Sequence, residues 1–107
     1  MSGFNRWDVW LAEVKYEDSD EVKERPVLIY NETEVFIVGF KGTSSIRKGD
    51  DEYTLIDWKK AGLLHETNFR LSKKLRIEKS KFKRKIGTIT KNDRIIIEFR
   101  LRYFEGK

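Results

Sequence analysis

The chain contains no cysteine, one proline, one histidine and one methionine among its 107 residues. Without cysteine there is no disulfide framework, no thiolate metal site and no thiol nucleophile. A single histidine argues against a zinc-type site, so no metal and no cofactor is expected. No apolar run approaches the ~20 residues that span a bilayer, and Met1 to Asn5 does not read as a signal peptide, so the expected location is the cytoplasm and no membrane is involved. There are no internal repeats and no low-complexity tracts, and residues 1–107 read as a single domain. What the chain does carry is charge: 23 Lys and Arg against 18 Asp and Glu, a net +5. That excess favours polyanionic partners without naming one. Hydrophobic residues make up 38%, enough for one modest core, which makes a homodimer an economical arrangement.

The lone proline punctuates the most informative stretch, Glu24-Arg25-Pro26-Val27-Leu28-Ile29-Tyr30. An acidic segment from Glu17 ends there in an arginine, and an apolar strand pattern begins. Proline locks its own φ and presses the preceding residue into an extended conformation. Arg25 is therefore expected at a strand entrance with its guanidinium aimed, a rigid fork of donors suited to gripping phosphate.

Along the chain, Trp7 to Val14 alternates, with Val9 and Leu11 on one side and Trp10, Ala12 and Val14 on the other, and predicts a first strand. Lys15 to Glu24 reads as a long charged loop. Pro26 to Tyr30 and Glu34 to Phe40 predict two more strands joined by a tight connection over Asn31 to Thr33. Lys41 to Asp51 reads as a polar loop carrying Thr43, Ser44 and Ser45. Tyr53 to Ile56 is strand-like. Asp57 to Gly62 reads as one or two helical turns, with Asp57 as cap and Gly62 closing in a left-handed conformation. Asn68 to Leu71 and Leu75 to Glu78 are strand-like, and Phe82 to Ile89 alternates basic and apolar residues. Thr90 is placed to cap a last helix, with Asp93 as a capping-box analogue. Ile95, Ile96, Phe99 and Tyr103 form its apolar stripe, widened by Ile97, Leu101 and Phe104. The sum is a mostly β, small α+β domain: a compact, partly closed antiparallel barrel with a short helix and a C-terminal helix.

An ordered series of these pieces resembles a known family. It comprises the Trp-Asp-Val-Trp-Leu strand, an acidic loop with Ser19-Asp20, Arg25-Pro26-Val27-Leu28-Ile29, and Ile37-Val38 leading to Thr43-Ser44. It continues with Trp58-Lys59-Lys60-Ala61-Gly62-Leu63, Arg70-Leu71-Ser72-Lys73 and Arg84-Lys85-Ile86-Gly87. The set is similar to the PemK/MazF toxins of bacterial type II toxin–antitoxin systems over nearly the whole chain. The resemblance implies a barrel of the plasmid-maintenance-toxin (MazF/CcdB-like) type and a homodimer. It implies metal-independent, sequence-selective cleavage of single-stranded RNA, in which a 2′-hydroxyl attacks its own 3′-phosphate. It also implies inhibition by a cognate antitoxin and DNA binding by the toxin–antitoxin complex. The family's arginine before proline falls on Arg25, its threonine after the third strand on Thr43, and its loop carboxylate on Asp20, which gives the expected catalytic set.

Such cleavage needs a base for the 2′-hydroxyl, an acid for the leaving oxygen and positive charge at the phosphorus. Arg25 suits the third role, since a guanidinium releases its proton too reluctantly to be a good acid. Thr43 supplies a hydroxyl for a phosphate oxygen, with Ser44 beside it. Asp20 serves either as base or to position Arg25. Lys41, Ser44, His65, Arg70 and Lys73 are the candidate substrate contacts. His65 is included as the one residue type whose ordinary titration range spans neutrality, and Arg70 and Lys73 as residues able to track a phosphate backbone. The basic run from Lys79 to Lys85 reads as a solvated face, and Trp58 as core. Two alternatives stay open: a non-catalytic barrel that binds a target, and a degenerate regulatory relative.

Overall fold

In the computed structural model, residues 3–15, 21–44, 49 and 51–105 are described. Seven strands form one antiparallel sheet: β1 (Asp8–Lys15), β2 (Val22–Glu32), β3 (Phe36–Thr43), β4 (Glu52–Thr54), β5 (Asn68–Arg70), β6 (Leu75–Glu78) and β7 (Phe82–Thr88). One helix follows, α1 (Lys91–Glu105). The strands run in the order β4-β5-β3-β2-β1-β7, with β6 also paired to β3. Among the described residues β4 and β7 do not pair with each other, so the sheet curls without closing by hydrogen bonds. No helix of the described residues is long and apolar enough to cross a membrane.

Both faces of the sheet are covered, as the alternation in β1 predicts. Val9, Leu28 and Phe40 stand abreast in the β1–β2–β3 register and meet Ile97 and Leu101 of α1 in the main core. Ala12, Val14, Val27 and Ile77 form a second cluster, against which Leu75 and Phe82 pack. Trp58 joins the main core as a partly buried member.

Several boundaries differ from the sequence reading, and three of them bear on the site. β2 begins at Val22, inside the charged stretch read as loop, because Val22 to Glu24 pairs with Lys15 to Glu13. Backbone hydrogen bonds need no apolar alternation. The facing carboxylates of Glu13 and Glu24 are accommodated by Lys83, whose ammonium lies 2.8 Å from Glu13. The hydrogen bond and charge of Glu13, and then the charge of Glu24, hold Lys83 above the usual lysine range. β3 continues through Lys41 and Gly42 to Thr43, so Thr43 ends a strand and is not a loop residue. Asp57 to Gly62 forms a turn with no regular helix, so the expected short helix is absent. Its closure is that of a helix end all the same: Leu63 N–H reaches Trp58 O at 3.1 Å, Gly62 N–H reaches Lys59 O at 3.0 Å, and Gly62 has φ 91°.

Helix α1 and its contacts correct three further expectations. The Asp93 side chain does not return to the helix start as a capping box. It is fully buried and accepts from Tyr53 Oη at 2.6 Å and from the backbone N–H groups of Ile56 and Asp57, both at 2.9 Å. Nor does Asp57 cap a helix; its carboxylate accepts the Thr90 hydroxyl at 2.9 Å. Because Asp93 must face inward, the residues one and two turns on, Ile97 and Leu101, share its stripe and are buried with it. The stripe read from the sequence is therefore rotated: Ile95, Phe99 and Tyr103 are 52%, 74% and 59% exposed.

Candidate active site

A groove of about 270 Å³ opens where β2 at Arg25 and Pro26 and the end of β3 meet the turn before β5. Arg25 is the fourth residue of β2, not its entrance, because the ladder to β1 starts at Val22. Its strand side is built from Leu11 of β1, Arg25 and Pro26 of β2, Thr43 of β3 with Ser44 after it, and Arg84 and Ile86 of β7. Its other wall is Gly62-Leu63-Leu64-His65 together with Thr67.

The register explains the strand side. Leu11 is opposite Pro26 on one flank and Arg84 on the other, so the three stand in a row across β2, β1 and β7. At the usual interstrand spacing the outer two strands are roughly 10 Å apart. Arg25 pairs with Ala12, one step before the proline, and its Nη1 donates to Glu24 O at 3.2 Å. The residue is half-buried and borders the groove. Thr43, also half-buried, is the last residue of β3 and pairs with Asn68 of β5.

The opposite wall is held at both ends. At its start, Asp93 takes the amides of residues 56 and 57. At its end, Leu55 N–H bonds Thr67 O at 3.0 Å, and the Thr67 hydroxyl donates to His65 O at 3.0 Å. In between, the turn lies backbone to backbone on β7. A Cβ on Gly87 would come within 2.1 Å of Ala61 O, and one on Gly62 within 2.6 Å of Ile86 O. Neither position admits a side chain without moving the wall. Leu63 and Leu64 thus project from a fixed ledge, with Leu64 83% exposed.

The chemistry of the lining is one-sided. Two arginines and the only histidine border the groove, and no Asp or Glu is found among the described lining residues. Leu11, Pro26, Leu63, Leu64 and Ile86 make the rest of it apolar. Positive charge above an apolar floor suits a ligand that carries both phosphate and flat, weakly polar rings. Among the described residues, no three His, Cys, Asp or Glu side chains gather as a metal site would require.

Of the residues singled out from the sequence, Arg25, Thr43, Ser44 and His65 come together in this groove. Asp20 lies outside the described residues. Lys41, opposite Val27 in the β2–β3 ladder, does not line the groove. Neither do Arg70 and Lys73. The Arg70 guanidinium is turned to Asp51, with Nε 2.9 Å from Oδ2, and the Ser72 hydroxyl bonds the same oxygen at 2.5 Å. Those two hydrogen bonds, Ser72 first, hold the Asp51 carboxyl below the usual aspartate range. The sequence reading placed Arg84 in a basic run read as a solvated face, and it passed over Thr67 and Leu64. Arg84 is the one arginine in that run, two residues before Ile86.

No protein-family model and no curated relative matches the sequence. Solved structures do match. The MazF-mt6 toxin of Mycobacterium tuberculosis superposes with a TM-score of 0.71 at 17% identity, over 92% of this chain and 96% of that one. A mycobacterial endoribonuclease in complex with its cognate antitoxin superposes at 0.71 and 15% identity, covering 94% and 93%. A further mycobacterial endoribonuclease superposes at 0.74 and 14% identity, covering 99% and 94%. The chain therefore has the fold of the MazF-type toxins.

Proposed function

We propose that the groove binds single-stranded RNA and that the chain is a toxin-type endoribonuclease of the PemK/MazF kind, acting in the cytoplasm as a homodimer and silenced by a cognate antitoxin. The observation that carries this reading is that Arg25, Thr43, Ser44 and His65 border one apolar-floored groove with no Asp or Glu among its described lining residues. The shared fold supports it.

The chemistry follows from what those side chains can do. The RNA 2′-oxygen attacks the adjacent phosphorus, the bond from phosphorus to the 5′-oxygen breaks, and the products carry a 2′,3′-cyclic phosphate and a 5′-hydroxyl. Negative charge builds on the non-bridging oxygens at the transition state. Arg25 faces that charge with two or more N–H donors, an arrangement worth most in a site that excludes water. The Thr43 hydroxyl donates to one of the same oxygens, and Ser44 adds a second hydroxyl next to it. Leu63, Leu64 and Pro26 flank the bases and sugars and set how the strand lies. The sequence offers two acceptors for the 2′ proton, His65 on the groove rim and Asp20 in the acidic loop. His65→Ala and Asp20→Asn, assayed separately against pH, distinguish them, because only the true base removes the ascending limb of the rate profile.

Purified protein mixed with single-stranded RNA in excess chelator is expected to yield fragments with cyclic-phosphate and 5′-hydroxyl ends. RNA that stays intact, but bound, would convert the reading to a non-catalytic binding module.

A further inference from the structure

We infer that Arg84 grips a phosphate next to the one that is cleaved, so that the RNA strand crosses the sheet from β2 over β1 to β7. The inference rests on the groove being an RNA site and adds the direction of the strand and a second contact.

Three observations place Arg84 in that role. The first is what happens to the rest of its basic run. Lys79 lies 2.7 Å from Glu32, Lys83 2.8 Å from Glu13 and Lys85 3.4 Å from Asp8, so each of these lysines is neutralised within the chain. Lys81 sits in the 3-10 turn that precedes β7, outside the groove lining. Arg84 has no hydrogen bond or ion pair within the chain among the described residues. Its fork of donors is the part of the run left over for an outside acceptor.

The second is position. Arg84 and Ile86 both border the groove, two residues apart on β7. Arg84 is opposite Leu11, which is opposite Pro26. Arg25 is opposite Ala12, so it leaves β2 on the other face from Pro26, Leu11 and Arg84. Arg25 and Arg84 nonetheless both border the groove, from backbones roughly 10 Å apart. That separation suits two phosphates of one strand better than two grips on a single phosphate.

The third is what lies between them. Leu11 and Pro26 form an apolar floor, with Leu63 and Leu64 above it. A sugar and its base fit there between a phosphate at each end. The arrangement divides the labour: Arg25 faces the reacting phosphorus, while Arg84 holds a neighbouring charge that does not change during the reaction. A contact equally strong in the ground and transition states lowers KM without raising kcat.

The test uses the whole chain and a 2′-O-methylated single-stranded oligonucleotide, which cannot be cleaved because the attacking hydroxyl is blocked. Its Kd is measured against salt concentration for the parent, Arg84→Ala, Arg84→Lys and Lys83→Ala. Each phosphate contact on a single strand contributes about 0.7 to the slope of log K on log salt. Arg84→Ala is expected to flatten the slope by about that amount and to weaken binding by roughly 3–10-fold at physiological salt. Arg84→Lys keeps the slope, and Lys83→Ala, whose lysine is spent on Glu13, stays within about 2-fold. In cleavage assays with unmodified RNA, Arg84→Ala raises KM and leaves kcat within about 2-fold. An unchanged slope in Arg84→Ala, with the parent binding normally, overturns the Arg84 assignment alone. A fall in kcat like that of an Arg25 variant overturns the flanking position. A parent that shows no salt-dependent binding removes the RNA reading and this inference together. Thermal melting of Arg84→Ala is expected to match the parent, since the side chain is exposed.

Discussion

Two polar centres lie at opposite ends of the same turn, and they are built in opposite ways. Around Asp93 every donor is turned inward. One fully buried carboxylate collects the Tyr53 hydroxyl and two backbone amides, and Thr90 ties the helix start to Asp57. In the groove, Arg25, Thr43, Ser44, His65 and Arg84 border open space. The first centre joins strand, turn and helix into one piece. The second lines an open groove. The contrast teaches that the ledge over the groove owes its position to a network that does not line the groove, so mutations at the two ends are expected to separate stability from the proposed activity.

Arg25→Ala attacks the open centre and has the largest expected effect. A preorganised charge donor at a reacting oxyanion is worth about 10²- to 10³-fold in rate. RNA cleavage by the variant is expected to fall by that factor while its melting temperature stays with the parent's. A matching fall in melting temperature would show that Arg25 holds the fold rather than the phosphate.

Asp93→Ala attacks the closed centre. It leaves a buried hydroxyl and two amides without their acceptor, at about 1–3 kcal/mol each. A loss of at least about 3 kcal/mol in denaturant unfolding is expected, with Asp93→Asn losing less because it keeps one carbonyl oxygen. If Asp93→Ala melts like the parent, the network is not what fixes the ledge. The Tyr53 hydroxyl stays a neutral donor throughout the physiological range, because burial first and the Asp93 carboxylate second push its titration well above the ordinary value.

Thr43→Val keeps the shape of the strand end and removes one hydroxyl. A single lost hydrogen bond of about 1.4 kcal/mol gives roughly tenfold slower cleavage. If Ser44→Ala costs tenfold and Thr43→Val costs nothing, the working hydroxyl is the next one along.

The smallest effect concerns Asp51, outside both centres. Its carboxyl titrates below the ordinary aspartate value in the folded chain, so its contacts with Ser72 and Arg70 stabilise the fold above that ordinary value. The contribution is lost as pH falls through the folded value, below about pH 4. Asp51→Asn is expected to melt slightly lower than the parent at pH 7, by about 1 kcal/mol or less for so exposed a pair, with the gap closing in acid. A gap that widens in acid would contradict this assignment.

The open centre was more legible in the sequence than the closed one. A proline after an arginine is a local signal, and so is a left-handed glycine after a short turn; both act over neighbouring residues. The Asp93 cluster joins positions that are 37 and 40 residues apart, so no local pattern announces it. Its consequence was misread for the same reason. Ile95, Phe99 and Tyr103 make as good an apolar stripe on a helical wheel as Ile97 and Leu101, and only the inward carboxylate decides which one meets the core. Arg70 and Arg84 show the limit in reverse. Both are arginines in basic stretches, and what separates them is whether a carboxylate such as Asp51 folds back within reach.

Amide chemical shifts of the labelled protein, titrated with a 2′-O-methylated single-stranded RNA, test the central claim most directly. The account predicts that the largest changes fall on Arg25, Thr43, Ser44, Leu63 to Thr67 and Arg84, with Tyr53, Ile56 and Asp93 nearly still. Changes centred on the Asp93 network or on the exposed face of α1, or none at saturating RNA, would contradict it.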